Sequence, residues 1–375
     1  MLLGFGALLL SACTVSRAKL LEYKFRSPAL PQVPAVSAPA IGSARLYYTG
    51  CGGFLLEYAG DRLMVDPFFS YMGVRQAATQ KIRNDTALIN AFFRERLGQA
   101  RDSAAMIRTV LIAHAHHDHL ADLPALLRNN LDTSAVTVYG SRTMVNLMRS
   151  FPGLLPDTAR QLVNLEKSFT LMSTLPAVKN QPEYSAFFYT PMRRIRFTAI
   201  PSDHAGHYRF IMPHKLPFTK GHVNQPLKTP PAYALNYKEG QNFNFLIDLL
   251  DEQGKPVYRI FSNAGAACDA GVGFPPASLL AEKAVDLLLI CGANYNIAKN
   301  YPIPLINYLH PRALLVMHWE NFFKPVPQLR RRPEVVPNTN IPKLLKALEM
   351  FAQKNQFPRY IFLEEPQSRA IKLDF

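Results

Sequence analysis

The chain is short of acid, poor in cysteine and without an apolar run long enough to cross a bilayer. Aspartate and glutamate number 27 against 42 lysines and arginines, a formal net charge of +15. That balance disfavours cationic partners and favours phosphate esters, acidic lipid head groups or nucleic acid. Nucleic acid is then set aside, because the basic residues are scattered and no recognisable binding motif accompanies them. Their densest groups, Arg193, Arg194 and Arg196 and then Arg330, Arg331 and Arg332, read as solvated faces. Of four cysteines, three remain once Cys13 is set apart, and the spacing of Cys51, Cys268 and Cys291 suggests neither a zinc cluster nor a disulfide framework. They read as buried small hydrophobes, with at most one pair bridged. Charged residues make up only 18% of the 375 and hydrophobic ones 48%, so most of the chain is globular. The apolar run at 2–10 is too short to span a membrane. No Lys or Arg precedes it, so the basic region of a secretory signal is either missing or lies upstream of Met1.

That run ends in small residues, as a secretory signal does. Leu10-Ser11-Ala12-Cys13 resembles the lipobox of bacterial lipoproteins. The resemblance implies a lipid on Cys13, and Thr14 after it implies the outer membrane of the envelope, facing the periplasm. The alternative is an ordinary signal peptide in which the tetrapeptide is coincidental. Residues 27–43, SPALPQVPAVSAPAIGS, have no periodic apolar face and read as a semi-rigid tether. The organisation expected is a signal at 1–13, a tether at 14–43 and a catalytic body at 44–375.

In the body, ARLYYTG, GGFLLEYAG and DRLMVDPF are β-rich segments separated by turns, as in a meander. Residues 74–108 carry helical patterning through Ala87, Leu88, Phe92 and Leu97. TVLIAH, LADLPALLRN and AVTVYG then read as strand, helix and strand, a crossover in a layered α/β structure. RIRFTAI is a further strand, NFNFLIDLL and VYRIFSN a hairpin, and AVDLLLICG and RALLVMHW two buried strands. Strands in both halves end in His, Asp or Asn. The stretches 151–190 and 208–240, rich in Pro, Tyr and Phe, read as insertions near those ends.

Four of the 10 histidines fall within LIAHAHHDHL, residues 111–120. His114 and His116 stand at i and i+2, so in an extended loop their side chains share one side and can hold one metal ion. Asp118 and His119 follow at the start of the helix and can serve a neighbouring position. Zinc accepts such N and O ligands and leaves a place for water, and manganese or iron accepts the same set.

His-x-His-x-Asp-His after a buried strand resembles the signature of the metallo-β-lactamase superfamily, whose fold is a four-layer αββα sandwich. YTGCGGFLLEYAGDRLMVDPFFS, with its Asp66-Pro67 pair, resembles that family's opening strands. The likeness covers nearly all of 44–375. It is nearest the branch of ascorbate phosphate lactonase and the N-acyl-phosphatidylethanolamine phospholipase D enzymes, where the last core strand ends in His and an aromatic, here His318-Trp319. It implies a first metal on His114, His116 and His204 and a second on Asp118, His119 and His318. His207, in PSDHAGH, suits a substrate-facing role and His117 a variable position, while His214, His222 and His310 read as surface residues. One departure stands out. Where the family has an Asp bridging two metals, IFSNAGAACDAG places Asn263. An amide oxygen can coordinate a cation without the charge of a carboxylate. The alternatives are a single tightly held metal, substitution by Asp269 or the Cys268 thiolate, or a site that has drifted from catalysis.

The function expected is a metal-dependent hydrolase in which hydroxide held on one or two zinc ions attacks a phosphorus or carbonyl centre. Asp118 accepts the water's proton besides serving as a ligand. The resemblance and the basic charge favour an anionic phosphodiester or phospholipid, met at the membrane through the lipid anchor. A lactonase or amidase on the same metals is the second reading, and an envelope binding protein with a degraded mononuclear site the third.

Overall fold

Three segments of the meander set the frame of the first sheet: β1 (Ala44–Gly50), β2 (Gly53–Tyr58) and β3 (Asp61–Val65) pair antiparallel in sequence. In the computed structural model the residues described are 44–97, 107–172, 184–206, 219–268, 271–293, 295–331, 334–337, 339–363 and 371–373. Cys13, the tether, His207, His214 and Asp269 lie outside them. β4 (Thr109–Leu111), β5 (Thr137–Gly140) and β6 (Leu162–Asn164) extend the sheet in parallel from β3.

The second sheet runs from β7 (Phe188–Tyr189) through β8 (Ile195–Ser202), β9 (Asn242–Leu250), β10 (Pro256–Asn263), β11 (Leu287–Cys291) and β12 (Ala313–Met317) to β13 (Tyr360–Leu363). β9 and β10 are the expected hairpin; β10 to β13 are parallel. A further strand, β14 (Ile371–Leu373), pairs with β1 in the first sheet, giving seven strands in each among the described residues.

Alternation along the strands sorts side chains into layers. Leu46, Phe54, Leu56 and Val65 of the first sheet meet Phe197, Phe245, Ile247 and Leu315 of the second in one buried core. Their neighbours face away: Leu55, Met64 and Val110 pack with Leu123, Leu126 and Met144 of the helices Leu123–Asn129 and Arg142–Arg149. Leu288, Ile290 and Val316 pack with Leu305 and Ile306 of the helix Ile303–Leu309 and with Leu344 and Leu348 of the helix Ile341–Asn355. Helix, sheet, sheet and helix make the four layers of the αββα sandwich. The near-continuous apolar strands of the second half are what a sheet buried on both faces requires.

One expectation changes. The stretch 151–190 is more than an insertion, because it supplies β6 to one sheet and β7 to the other. The helical patterning of 74–108 is borne out among the described residues, which form the helices Val74–Thr79 and Thr86–Leu97.

The outer face of the second sheet carries a buried charge ladder. Asp248 lies opposite both Arg196 and Arg259 across three strands. Arg259 donates to Asp248 at 2.5 and 2.8 Å and Arg196 at 2.8 Å, and Glu282 closes the group with contacts of 2.6 and 2.9 Å. Arg259 is fully buried, which is tolerable only because its donors are taken up by these carboxylates and by the carbonyls of Leu279 and Lys283.

Candidate metal centre

β1, β3 and β4 run parallel in the first sheet, and β8, β10 and β12 run parallel in the second. Their C-terminal ends therefore come out on shared edges, where the polar residues stand. Asp66 follows β3, His114 and His116 follow β4, His204 follows β8, Asn263 ends β10 and His318 follows β12. The backbone laces the two edges together: Phe243 N donates to Ala113 O at 2.9 Å and Ala115 N to Glu239 O at 2.8 Å.

Donor atoms of His114, His116 and His204 all lie within 4.8 Å of one another, and a second group with the same spread holds Cys51, Asp118 and His318. His119 stands between the groups. Its ring centroid is 3.9 Å from that of His114 and its Nε2 is 3.7 Å from Asp118 Oδ2. Asp118 Oδ2 also lies 3.3 Å from His318 Nε2. The sequence thus named five of the six grouped residues together with His119; it missed Cys51. His117 belongs to neither group, standing edge-on to Phe68 with Nδ1 3.7 Å from Asp118 Oδ1, while His310 caps a helix and His222 is exposed.

The electrostatics suit ligands. Burial, and then the imidazoles of His119, His116 and His204, push His114 well below the ordinary histidine value, so it stands neutral with a lone pair to give. Burial alone would raise the Asp118 carboxyl, but His119, His318 and His117 hold it well below the usual carboxylate range. The His204 Nδ1–H donates to the Ala205 carbonyl at 2.7 Å, which leaves Nε2 as the donor. His119 Nδ1 lies 3.1 Å from Asp66 Oδ2, and Asp66 Oδ1 accepts from Ala113 N at 2.7 Å. A carboxylate behind an imidazole is the usual means of orienting a metal-ligating histidine.

Whether these residues fit a cation can be tested on what they leave unsatisfied. Both ring nitrogens of His114, Nδ1 of His318 and Oδ1 of Asn263 are buried without a hydrogen-bond partner. Each such group costs about 1–3 kcal/mol if nothing satisfies it. Asn263 Nδ2 donates to Asn244 Oδ1 at 3.2 Å and to Ala267 O at 3.0 Å, so its amide oxygen is the free end. The residues fit a metal.

Behind the second group lies a network the sequence reading did not find. Glu320, fully buried, accepts from Tyr48 Oη at 2.7 Å, Tyr71 Oη at 2.6 Å and Cys51 N at 2.8 Å. Tyr48 Oη in turn accepts from His318 N at 2.9 Å. The turn after β1 and the loop after β12 are thereby tied together, and Cys51 and His318 both sit at positive φ, 48° and 53°. Two glycines allow the close approaches. A Cβ on Gly53 would lie 2.1 Å from the Asp66 carbonyl oxygen, and one on Gly265 would lie 2.5 Å from that of Asp203, beside His204. On the other side Asp122 takes four hydrogen bonds, from Phe69 N, Ser70 N, Ser70 Oγ and Asn84, and so shapes the loop after Asp66. Glu320 lies only two residues beyond His318, a signal that was available; Tyr48 and Tyr71 offered none.

An αββα sandwich with His and Asp donors at the C-terminal strand ends is the metallo-β-lactamase fold. A model of the beta-lactamase superfamily domain matches residues 61–217. Match, fold and donor set together support a metal-dependent hydrolase. No curated protein matches the chain significantly. Among solved structures the chain is similar to Igni18, a metallo hydrolase from the archaeon Ignicoccus hospitalis, at 15% identity and a TM-score of 0.45, covering 89% of this chain and 100% of that one. It is similar to the isothiocyanate hydrolase from Delia radicum gut bacteria at 12% identity and 0.44, covering 87% and 98%. It is also similar to CmlA, a diiron β-hydroxylase from Streptomyces venezuelae, at 12% identity and 0.46, covering 90% and 55%. Likenesses this distant say nothing about what the chain acts on.

Proposed function

We propose that the chain is a zinc-dependent hydrolase of phosphodiesters, held at the bacterial outer membrane by a lipid on Cys13 and acting on anionic substrates such as phospholipid head groups. The observation that carries the hydrolase reading is the pairing of two donor groups, one built from three imidazoles and one containing the Asp118 carboxylate. His114, His116 and His204 would hold one cation; Asp118 and His318, with His119 beside them and the neutral oxygen of Asn263 available, would hold another. Divalent cations bound there act as Lewis acids, acidifying water and polarising the electrophile.

The chain's own residues do the rest. The Ala205 carbonyl orients the ring of His204, and the Asp66 carboxylate stands 3.1 Å from Nδ1 of His119. Asp118, kept anionic by its histidine neighbours, would accept a hydrogen bond from the attacking water and orient it besides serving as a ligand. The Tyr48–Glu320 pair holds the His318 loop in place.

The phosphodiester class is supported by charge. The whole chain carries +15. The carboxylates around the donors are engaged internally, Asp66 by His119 and Ala113, Asp122 by the 69–70 loop and Glu320 by two tyrosines. Among the described residues no helix is long and apolar enough to cross a membrane, so the attachment proposed rests on Cys13 and its tether.

A panel of bis(p-nitrophenyl) phosphate, phospholipid vesicles, a simple lactone and an anilide, offered to protein loaded with zinc, manganese or iron, tests the reading. Diester turnover at least about tenfold above the lactone and anilide is expected. Turnover of the lactone or anilide alone would replace the substrate class, and metal binding without any turnover would point to a binding protein.

A further inference from the structure

We propose that Cys51 is a thiolate ligand of the second metal position and supplies the negative charge that Asn263 cannot. The inference rests on the two-group reading above and deepens it. The Cys51 sulfur, the Asp118 carboxylate and a ring nitrogen of His318 lie within 4.8 Å of one another. All three residues are buried, and His318 Nδ1 has no hydrogen-bond partner.

Cys51 is buried within the hydrophobic core, as expected from the sequence, but that reading alone leaves its backbone conformation and polar neighbours unexplained. It sits in the turn Thr49-Gly50-Cys51-Gly52-Gly53 at φ 48°, a conformation that disfavours any side chain. Its amide is fixed by the buried Glu320 carboxylate, whose other partners are Tyr48 and Tyr71. A strained turn anchored by a buried acid, with its one side chain beside a carboxylate and an imidazole, is an arrangement that orients a ligand.

The charge count points the same way. With an Asp at 263, two carboxylates would face two divalent cations. With Asn263, Asp118 is the one carboxylate left among the grouped donors, and a Cys51 thiolate would bring a second anionic ligand. Binding proceeds by loss of the thiol proton to solvent: the S–H bond breaks, a sulfur–metal bond forms, and nothing is oxidised or reduced. The two positions would differ in kind. The first holds three neutral nitrogens. The second holds one soft sulfur, one oxygen and one nitrogen, and should prefer zinc, cobalt or cadmium over manganese or magnesium.

The test is a cobalt(II) titration of the metal-free full chain under anaerobic conditions, read by elemental analysis and by near-ultraviolet sulfur-to-cobalt charge transfer. Wild type is expected to bind two equivalents, with the charge-transfer band growing in alongside one of them. Cys51→Ser should lose the band and bind that equivalent at least about tenfold more weakly. Cys51→Asp should recover the equivalent without the band, and Cys268→Ser and Cys291→Ser should keep both. Cobalt bound by wild type without a band, or a band that survives in Cys51→Ser, would overturn the assignment while leaving the hydrolase reading intact. No cobalt bound to wild type would overturn both. Because the absence of a band in wild type is itself decisive, a variant that fails to fold does not protect the proposal.

Discussion

Asp66 illustrates how much of the centre depends on residues that touch no substrate. It leaves β3 at φ 43°, a strained conformation for an aspartate, held by the Ala113 amide on one oxygen and facing His119 with the other. Asp66→Asn keeps the size and the Ala113 contact but removes the charge behind His119. The expected result is a 10- to 100-fold loss, roughly, in metal affinity or in kcat/KM, with little change in the far-ultraviolet circular dichroism spectrum. An unchanged metal titration would show that His119 needs no such support. Cys51 is the counterpart at this scale. Nothing in its sequence neighbours announces a ligand, since its partners come from the helix after β4 and the loop after β12.

Among the elements, the adjacent strands β8, β9 and β10 carry the Arg196–Asp248–Arg259 ladder on the face away from the sheet–sheet core. Removing its centre strands Arg259 in the interior, so Asp248→Ala should destabilise the fold by about 3–5 kcal/mol in urea denaturation. Glu282 is the titrating member. Burial alone would raise its carboxyl, but hydrogen bonds from Arg196 and Arg259 outweigh burial and hold it below its ordinary value. A carboxyl lowered on folding stabilises the native state above its unfolded pKa of about 4.3, and that contribution drains away as the pH falls through the lowered value. Between about pH 5 and 3, the urea midpoint should therefore fall more steeply in wild type than in Glu282→Gln. Parallel slopes would mean that the half-exposed Glu282 adds nothing. The ladder was illegible in sequence, because Arg196, Asp248 and Arg259 become neighbours only through strand register.

For the whole molecule, the net charge of +15 acts on encounter rather than on chemistry. If the substrate is an anionic diester, raising the salt from about 20 to 300 mM should lower kcat/KM severalfold, as screening shortens the reach of the field. An uncharged ester turned over by the same centre should show no such slope. A flat response for the diester would remove the charge argument from the substrate assignment.

The sequence by itself determined the layers and most of the metal donors, since both are local. Strands buried on two faces must be apolar nearly throughout, and His114, His116, His204 and His318 all lie in the chain that leaves such a strand. Asp118 and His119 stand in the same short motif, and an apolar strand followed by His-x-His-x-Asp-His is visible without knowing where the chain goes next. Tertiary structure alone decided which donors meet. It set Cys51 against Asp118 and His318, and it placed Glu320 beneath Tyr48 and Tyr71. It left Asn263 with a free amide oxygen, and it turned 151–190 from an apparent insertion into edge strands of both sheets. The physical reason is separation along the chain. Cys51 and Glu320 are 269 residues apart, and no local preference encodes a contact made only when two sheets close on each other.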